Sequence, residues 1–218
     1  MTATQVELVE NQRRIPISKR LLDVVGSGLL LLSLLPIFLV LALVVKVTSP
    51  GPVFFRQSRY GLDGQRFLML KFRTMREDAE EVLAQWMAEG TEFGREMAER
   101  WKLADDPRIT PVGGVLRKLS LDELPQLINV LRGEMSLVGP RPRRCQAELD
   151  AYGHLVDDFL SVPPGMTGPW QTQGRNTLTD EERVQLDVEY ARSATVVDDL
   201  GYLVRTIPAV LRPGDGAS

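Results

Sequence analysis

Uncharged apolar positions concentrate in one run of 22 residues, Val24 to Val45, dominated by Leu and Val. As a helix, at about 1.5 Å per residue, it would be about 33 Å long, close to the hydrocarbon thickness of a bilayer. The run therefore predicts insertion into a membrane. A cleaved signal peptide fits poorly, because the charged region before it is long and no small-residue cleavage site follows. A buried soluble helix would need apolar neighbours on every side. Pro36 lies near the middle, where it removes a backbone hydrogen bond, and Ser33 stands three residues earlier to re-satisfy the freed carbonyls. Arg13, Arg14, Lys19 and Arg20 precede the run, and Lys46, Arg56 and Arg59 follow it. A spanning helix would put one basic set outside, whereas a helix that bends at Pro36 and returns keeps both on one face. The pattern favours the re-entrant form.

After the rigid connector Thr48-Ser49-Pro50-Gly51-Pro52, residues 53–59 and 66–72 read as strands of a β-hairpin around Gly61-Leu62-Asp63-Gly64. Residues 75–103 predict a solvated acidic helix or helix pair, interrupted near Gly90 and Gly94. Asp105-Asp106-Pro107-Arg108 reads as a turn rather than a cation site. The segment 163–170 is too rich in Pro and Gly for regular structure. Thr179 with Glu182 forms a capping box for a helix over 180–192. Residues 196–211 carry Leu200, Leu203, Val204, Ile207 and Leu211 at helical spacing, suited to a core or to a membrane surface. The fold class expected is α+β: an N-terminal re-entrant membrane helix hairpin, then a compact, mostly helical cytoplasmic domain with a β-hairpin and surface-lying amphipathic helices. The boundaries are a flexible arm over 1–18, the membrane-inserted helix over 19–47, the cytoplasmic domain over 48–212 and a tail over 213–218.

The net charge of −3 conceals a segregation: +7 over residues 1–76, −7 over 77–99, +4 over 100–145 and −7 over 146–218. Basic blocks thus flank the apolar run, where anionic headgroups or phosphorylated substrates are attracted. Cys145 is the only cysteine and His154 the only histidine, which excludes internal disulfides, thiolate metal clusters and His-rich zinc sites. An enzyme built from this chain is expected to rely on carboxylates, Arg and Lys, with or without an oxygen-ligated metal.

The stretch 120–143 meets that requirement. Asp122 and Glu123 stand at a helix start. Either Ser120 is the N-cap, with Glu123 completing a capping box, or Asp122 is the N-cap, which places Pro125 at the third helical position. The second accommodates Pro125 better. A capping pair without chemistry is the alternative reading. Arg117 lies five residues before Asp122, and two prolines fix Arg141 and Arg143 in Gly139-Pro140-Arg141-Pro142-Arg143. Guanidinium groups hold phosphate bidentately, and paired carboxylates can hold Mg²⁺ whose other ligands are water and substrate phosphates. A carboxylate can also attack phosphorus covalently.

Seven segments together resemble the bacterial sugar transferase family, the small monotopic phosphoglycosyl transferases. They are Lys-Arg-Leu-Leu-Asp at 19–23, Ser-Pro-Gly-Pro-Val-Phe-Phe-Arg-Gln at 49–57, Lys-Phe-Arg-Thr-Met at 71–75 and Asp-Pro-Arg-Ile-Thr at 106–110. The others are 116–127 around the Asp-Glu pair, 129–142 closing on Gly-Pro-Arg-Pro, and Pro-Gly-Met-Thr-Gly at 164–168. The resemblance implies a membrane-bound enzyme of the bacterial inner membrane with its catalytic domain on the cytoplasmic face. It would move a phosphosugar from a nucleotide-sugar donor, expected to be a UDP-sugar, to polyprenyl phosphate and release nucleoside monophosphate. Such a step initiates exopolysaccharide, capsule, O-antigen or glycoprotein glycan assembly. It further implies Mg²⁺ held by Asp122 and Glu123, catalysis by Asp122 and Glu123 through a covalent aspartyl phosphosugar, and substrate phosphates on Arg117, Arg141, Lys19 and Arg143. The lipid bilayer is a partner, nucleic acid is not, and homo-oligomerisation is left open. Larger relatives carry further membrane helices and a domain, so this chain resembles the catalytic module alone. Residues 77–103 are longer than the smallest members need, and the region after Gly174-Arg175-Asn176 lacks an aromatic residue often found there. A metal-dependent nucleotide-sugar hydrolase and a non-catalytic membrane-anchored scaffold are the competing readings.

Overall fold

In a computed structural model, residues 15–100, 103, 105–174 and 178–211 are described. The arm before residue 15, the tail and the expectation at residues 175 and 176 lie outside them. The apolar run forms one helix, α1 (Ile17–Thr48), with Pro36 inside it. Its 32 residues reach about 48 Å, and by length and composition it can cross a membrane. Leu29, Leu32, Leu39, Leu43 and Val47 are exposed, as expected of a surface made for lipid rather than water. No turn splits α1 into two arms. Ser33 Oγ donates to the Leu30 carbonyl at 3.1 Å, so it does not serve the Leu32 carbonyl that Pro36 frees.

The remaining elements are β1 (Phe54–Tyr60), β2 (Arg66–Phe72), α2 (Ala79–Glu89), α3 (Glu92–Arg100), α4 (Pro111–Lys118), α5 (Gln126–Arg132), β3 (Ser136–Val138), α6 (Gln146–Asp150), α7 (Val156–Phe159), β4 (Gly165–Thr167), α8 (Pro169–Gln173), α9 (Asp180–Ser193) and α10 (Val196–Leu211). The mixed helix and strand class holds. β1 and β2 pair as the expected hairpin, linked by a 3₁₀ turn at Leu62–Gly64. Contacts divide the described residues into two units, one drawn from residues 15–34, 56–70 and 125–211, the other from residues 35–55 and 71–124.

In the first unit, Met69, Leu127, Val130, Met135, Leu137, Val138 and Tyr190 form the main core. The base of α1 is tied to it by buried polar bonds. Asp23 accepts from Ser136 Oγ and the Leu137 amide, both at 2.9 Å. Lys19 donates to the Val138 carbonyl at 2.8 Å and pairs with Asp199 at 2.8 Å. Arg20 takes the Val130 and Leu131 carbonyls at the end of α5, the orphan acceptors of a helix C-terminus. The Pro-Gly segment, expected to be irregular, contains β4, paired in parallel with β3 in the register Ser136↔Gly165 and Val138↔Thr167. Glycine makes this strand feasible: a Cβ on Gly165 would stand 2.1 Å from the Gly139 nitrogen. The Thr179–Glu182 capping box forms as expected. On α10, Asp199 and Tyr202 face inward while Val197, Leu200, Val204 and Ile207 are exposed along one side.

A second cluster of Leu149, Tyr152, Phe159 and Val188 surrounds Asp187, which is fully buried. Tyr152 Oη donates to Asp187 Oδ2 at 2.8 Å and the Arg143 guanidinium lies 3.3 Å from the same oxygen. Burial pushes the Asp187 carboxyl up to about 6, with Arg143 opposing that rise. A carboxyl raised on folding adds stability that is full below its ordinary pKa of 3.8 and lost as pH rises through about 6. The stability difference between wild type and Asp187→Asn, from denaturant titrations in detergent, is therefore expected to shift against wild type between pH 4 and 7. A difference that stays flat across that range contradicts the assignment.

In the second unit, Val45, Phe72 and Leu116 form the core, with the Phe38, Phe54 and Phe72 rings 5.0–5.9 Å apart. Gly90 ends α2 in the left-handed conformation (φ 63°), as its place between two helices requires. Gly94, expected to interrupt, instead lies inside α3 where a Cβ would meet the Trp86 carbonyl oxygen at 2.3 Å. Asp106 and Arg108 form a buried fork, Arg108 Nε and Nη2 donating to the two carboxylate oxygens at 2.9 and 2.7 Å. The turn reading of that segment thus holds.

Candidate active site

Thr110 caps α4, accepting from the Gly113 amide, with Pro111 at its first position. Thr74 packs its carbonyl so close that a Cβ on Gly113 would fall 2.0 Å away. After Lys118 the chain turns through Ser120 in the left-handed region (φ 55°). Leu121–Glu123 form a 3₁₀ turn, and α5 starts only after Pro125. Neither expected helix start is adopted. Pro125 cannot donate within a helix, so the regular ladder begins beyond it, and the Leu124 amide bonds the Leu121 carbonyl at 3.3 Å. The dyad therefore occupies a strained turn rather than a helix cap.

Asp122 is 6% exposed. Lys71, near the end of β2, reaches both carboxylates: Nζ lies 2.7 Å from Glu123 Oε1 and 3.9 Å from Asp122 Oδ2. Burial pushes the Asp122 carboxyl up to about 6. Lys71 counters the rise, Glu123 adds to it, and Arg117 lowers it. Arg117 is half-buried on α4; its side chain makes no hydrogen bond or ion pair among the described residues, and its charge also acts on Asp106. A desolvated carboxylate restrained by one ammonium, beside a guanidinium with its donors available, can act as nucleophile or base toward a phosphorus centre.

The other expected residues lie in the first unit. Arg141 is half-buried, with its guanidinium 5.6 Å from the Trp170 ring centre, and Arg183 lies 5.2 Å from the same ring. Arg143 donates to Tyr152 Oη and pairs with Asp187. Lys19 is engaged by Asp199 and the Val138 carbonyl. Lys19 and Arg143, the two cations expected on phosphate, are thus each paired with a buried carboxylate. Lys71 is the residue that sequence reasoning left without a role. Its signal was a lone charge inside the apolar strand Leu68-Met69-Leu70-Lys71-Phe72, with Leu70 and Phe72 buried. Among the described residues no cluster of three or more His, Cys, Asp or Glu is placed to hold a metal.

The family model for bacterial sugar transferases matches residues 14–213. The exopolysaccharide production protein ExoY of Sinorhizobium fredii is 45% identical over 194 residues, 89% of this chain and 85% of that protein. A UDP-glucose:undecaprenyl-phosphate glucose-1-phosphate transferase of Caulobacter vibrioides is 40% identical over 207 residues, covering 90% of this chain and 71% of its own length. The undecaprenyl-phosphate galactose phosphotransferase of Salmonella typhimurium is 44% identical over 200 residues, 91% of this chain but 41% of its own length.

Proposed function

The chain belongs to the bacterial sugar transferase family, and from that premise we propose that it moves a phosphosugar from a nucleoside-diphosphate sugar, by our reading a UDP-sugar, to polyprenyl phosphate. The observation that carries the reading is the buried Asp122 beside Glu123 and Lys71. An Asp122 oxygen attacks the sugar-bearing phosphorus. The bond from that phosphorus to the bridging oxygen breaks, and nucleoside monophosphate leaves with the electron pair. The Asp122–phosphorus bond then breaks as an oxygen of polyprenyl phosphate attacks, giving a lipid diphosphosugar and restoring the carboxylate. Arg117 neutralises phosphate oxygens as charge moves to the leaving group. Arg141, whose contact in the structure is the Trp170 face, is a second phosphate ligand by family resemblance.

Two adjacent carboxylates suit Mg²⁺, which takes few protein ligands and completes its shell with water and phosphate oxygens. Asp122 and Glu123 would hold it, and it would supply charge neutralisation on the diphosphate. The acceptor and product are lipids, which accounts for α1. We read it as entering the bilayer from the cytoplasmic face and bending at Pro36, so that Lys46 and the basic residues before the run stay at one surface. The apolar side of α10 lies against that surface. The product would enter exopolysaccharide or capsule assembly.

With purified protein in detergent, Mg²⁺ and labelled donor, stoichiometric nucleoside monophosphate is expected in a burst. Continued release and lipid diphosphosugar are expected only with polyprenyl phosphate. Sustained release without the lipid would instead identify a hydrolase.

A further inference from the structure

Of residues 139–144, which follow β3, all but Arg141 are hydrogen-bonded to a neighbouring element among the described residues. The Gly139 amide donates to the Thr167 carbonyl at 2.9 Å and the Gly165 amide to the Pro140 carbonyl at 2.8 Å, which carries the β3–β4 pairing into the loop. Beyond Arg141, the Pro142 carbonyl accepts from Arg59 Nη1 at 3.2 Å, the Arg143 carbonyl from the Tyr60 amide at 2.9 Å and the Arg144 carbonyl from Arg66 Nη1 at 2.8 Å. Pro140 and Pro142 are buried, and their rings fix the backbone on either side of Arg141. The Arg141 side chain makes no hydrogen bond or ion pair among the described residues. Its contact with the Trp170 ring orients a cation without consuming its N–H groups.

The side chain of Arg143 anchors the loop on the far side of Pro142. Its Nε donates to Tyr152 Oη at 3.0 Å, its Nη2 lies 3.3 Å from Asp187 Oδ2, and Tyr152 Oη donates to the same carboxylate oxygen at 2.8 Å. The guanidinium also lies 5.2 Å from the Tyr152 ring centre. Asp187 is fully buried and the Arg143 side chain is 20% exposed. Such a pair adds little net stability, because desolvation offsets its attraction. Its bonds do confine the groups that make them to one arrangement. Two residues away stands a guanidinium with its donors available, and a group that recognises phosphate has to be held to within about 0.5 Å by the residues around it.

We propose that Arg143, Tyr152 and Asp187 are positioning residues for Arg141, a role that rests on the reading of Arg141 as a ligand of the donor's diphosphate. They touch no substrate. They hold the loop so that the one unengaged guanidinium in it meets a phosphate oxygen, and their effect on the nucleotide passes through Arg141 alone.

The full chain in dodecyl maltoside is titrated with UDP and Mg²⁺ in a calorimeter, without acceptor and without turnover. Arg141→Gln is expected to weaken UDP by about tenfold, as loss of a charge-assisted contact predicts. Tyr152→Phe removes the hydroxyl that joins Arg143 to Asp187. It should weaken UDP by about threefold or more in the wild-type background and by less than about 1.5-fold in Arg141→Gln, since a residue that acts through another loses its effect once that other is gone. Arg143→Lys replaces the guanidinium fork by a single ammonium and should show the same dependence on Arg141; it keeps the test open if Tyr152→Phe does not fold. Arg192→Gln, which removes an exposed cation paired with Asp158, should leave affinity unchanged. Equal weakening by Tyr152→Phe or Arg143→Lys with and without Arg141 overturns the positioning role, as does wild-type affinity in both variants or weakening by Arg192→Gln. Wild-type affinity in Arg141→Gln instead sinks the reading of Arg141 as a phosphate ligand, and the positioning role with it.

Discussion

Asp122→Asn is expected to lower phosphosugar transfer by about 1,000-fold or more, because an amide is not a nucleophile toward phosphorus. The substitution keeps the shape of a side chain that is 6% exposed, so packing around it is preserved. It also removes a carboxyl that burial and Glu123 both disfavour in its charged form, and the variant should unfold at the same or a higher temperature than wild type. A loss of activity is then attributable to chemistry rather than to misfolding. Acid quenching after mixing with donor labelled in the sugar is expected to leave label on wild-type protein and none on the variant. A full burst of nucleoside monophosphate from Asp122→Asn would remove Asp122 as the nucleophile.

Much of this arrangement is written locally in the chain. The apolar run, the strands around Gly61 to Gly64 and the Thr179–Glu182 box each declare themselves within a few residues, because composition, turn chemistry and capping act over that range. The dyad was visible for the same reason. Its geometry was not, since Ser120 in the left-handed region and a 3₁₀ turn before Pro125 are set by packing of Leu121 and Leu124 into the core with Leu116. β4 was hidden by its Pro and Gly content, yet that content is what lets it approach Gly139 so closely. The fates of Lys19 and Arg143 depended on Asp199 and Asp187, far along the chain, and no spacing rule anticipates such buried partners. Lys71 is separated from Glu123 by 52 residues and was undervalued for the same reason.

Lys71→Met tests whether that ammonium sets the state of the nucleophile. Asp122 is held near a pKa of about 6 by burial, which raises it, against Lys71, which is first among the charges that lower it. Removing the ammonium leaves two adjacent carboxylates, one of them buried, and each then disfavours ionisation of the other. The Asp122 pKa moves further up, and a smaller fraction of the protein carries a nucleophilic carboxylate at neutral pH. The rate is expected to fall by about 100-fold at pH 7, with the acid limb of the pH–rate profile displaced upward by about one unit or more, so that activity partly recovers in alkali. Lys71→Arg keeps the charge at the end of β2 and should leave that limb near its wild-type position. A uniform loss across the pH range with the limb unmoved would mean that Lys71 contributes packing or substrate contact, and that burial and the remaining charges alone tune Asp122.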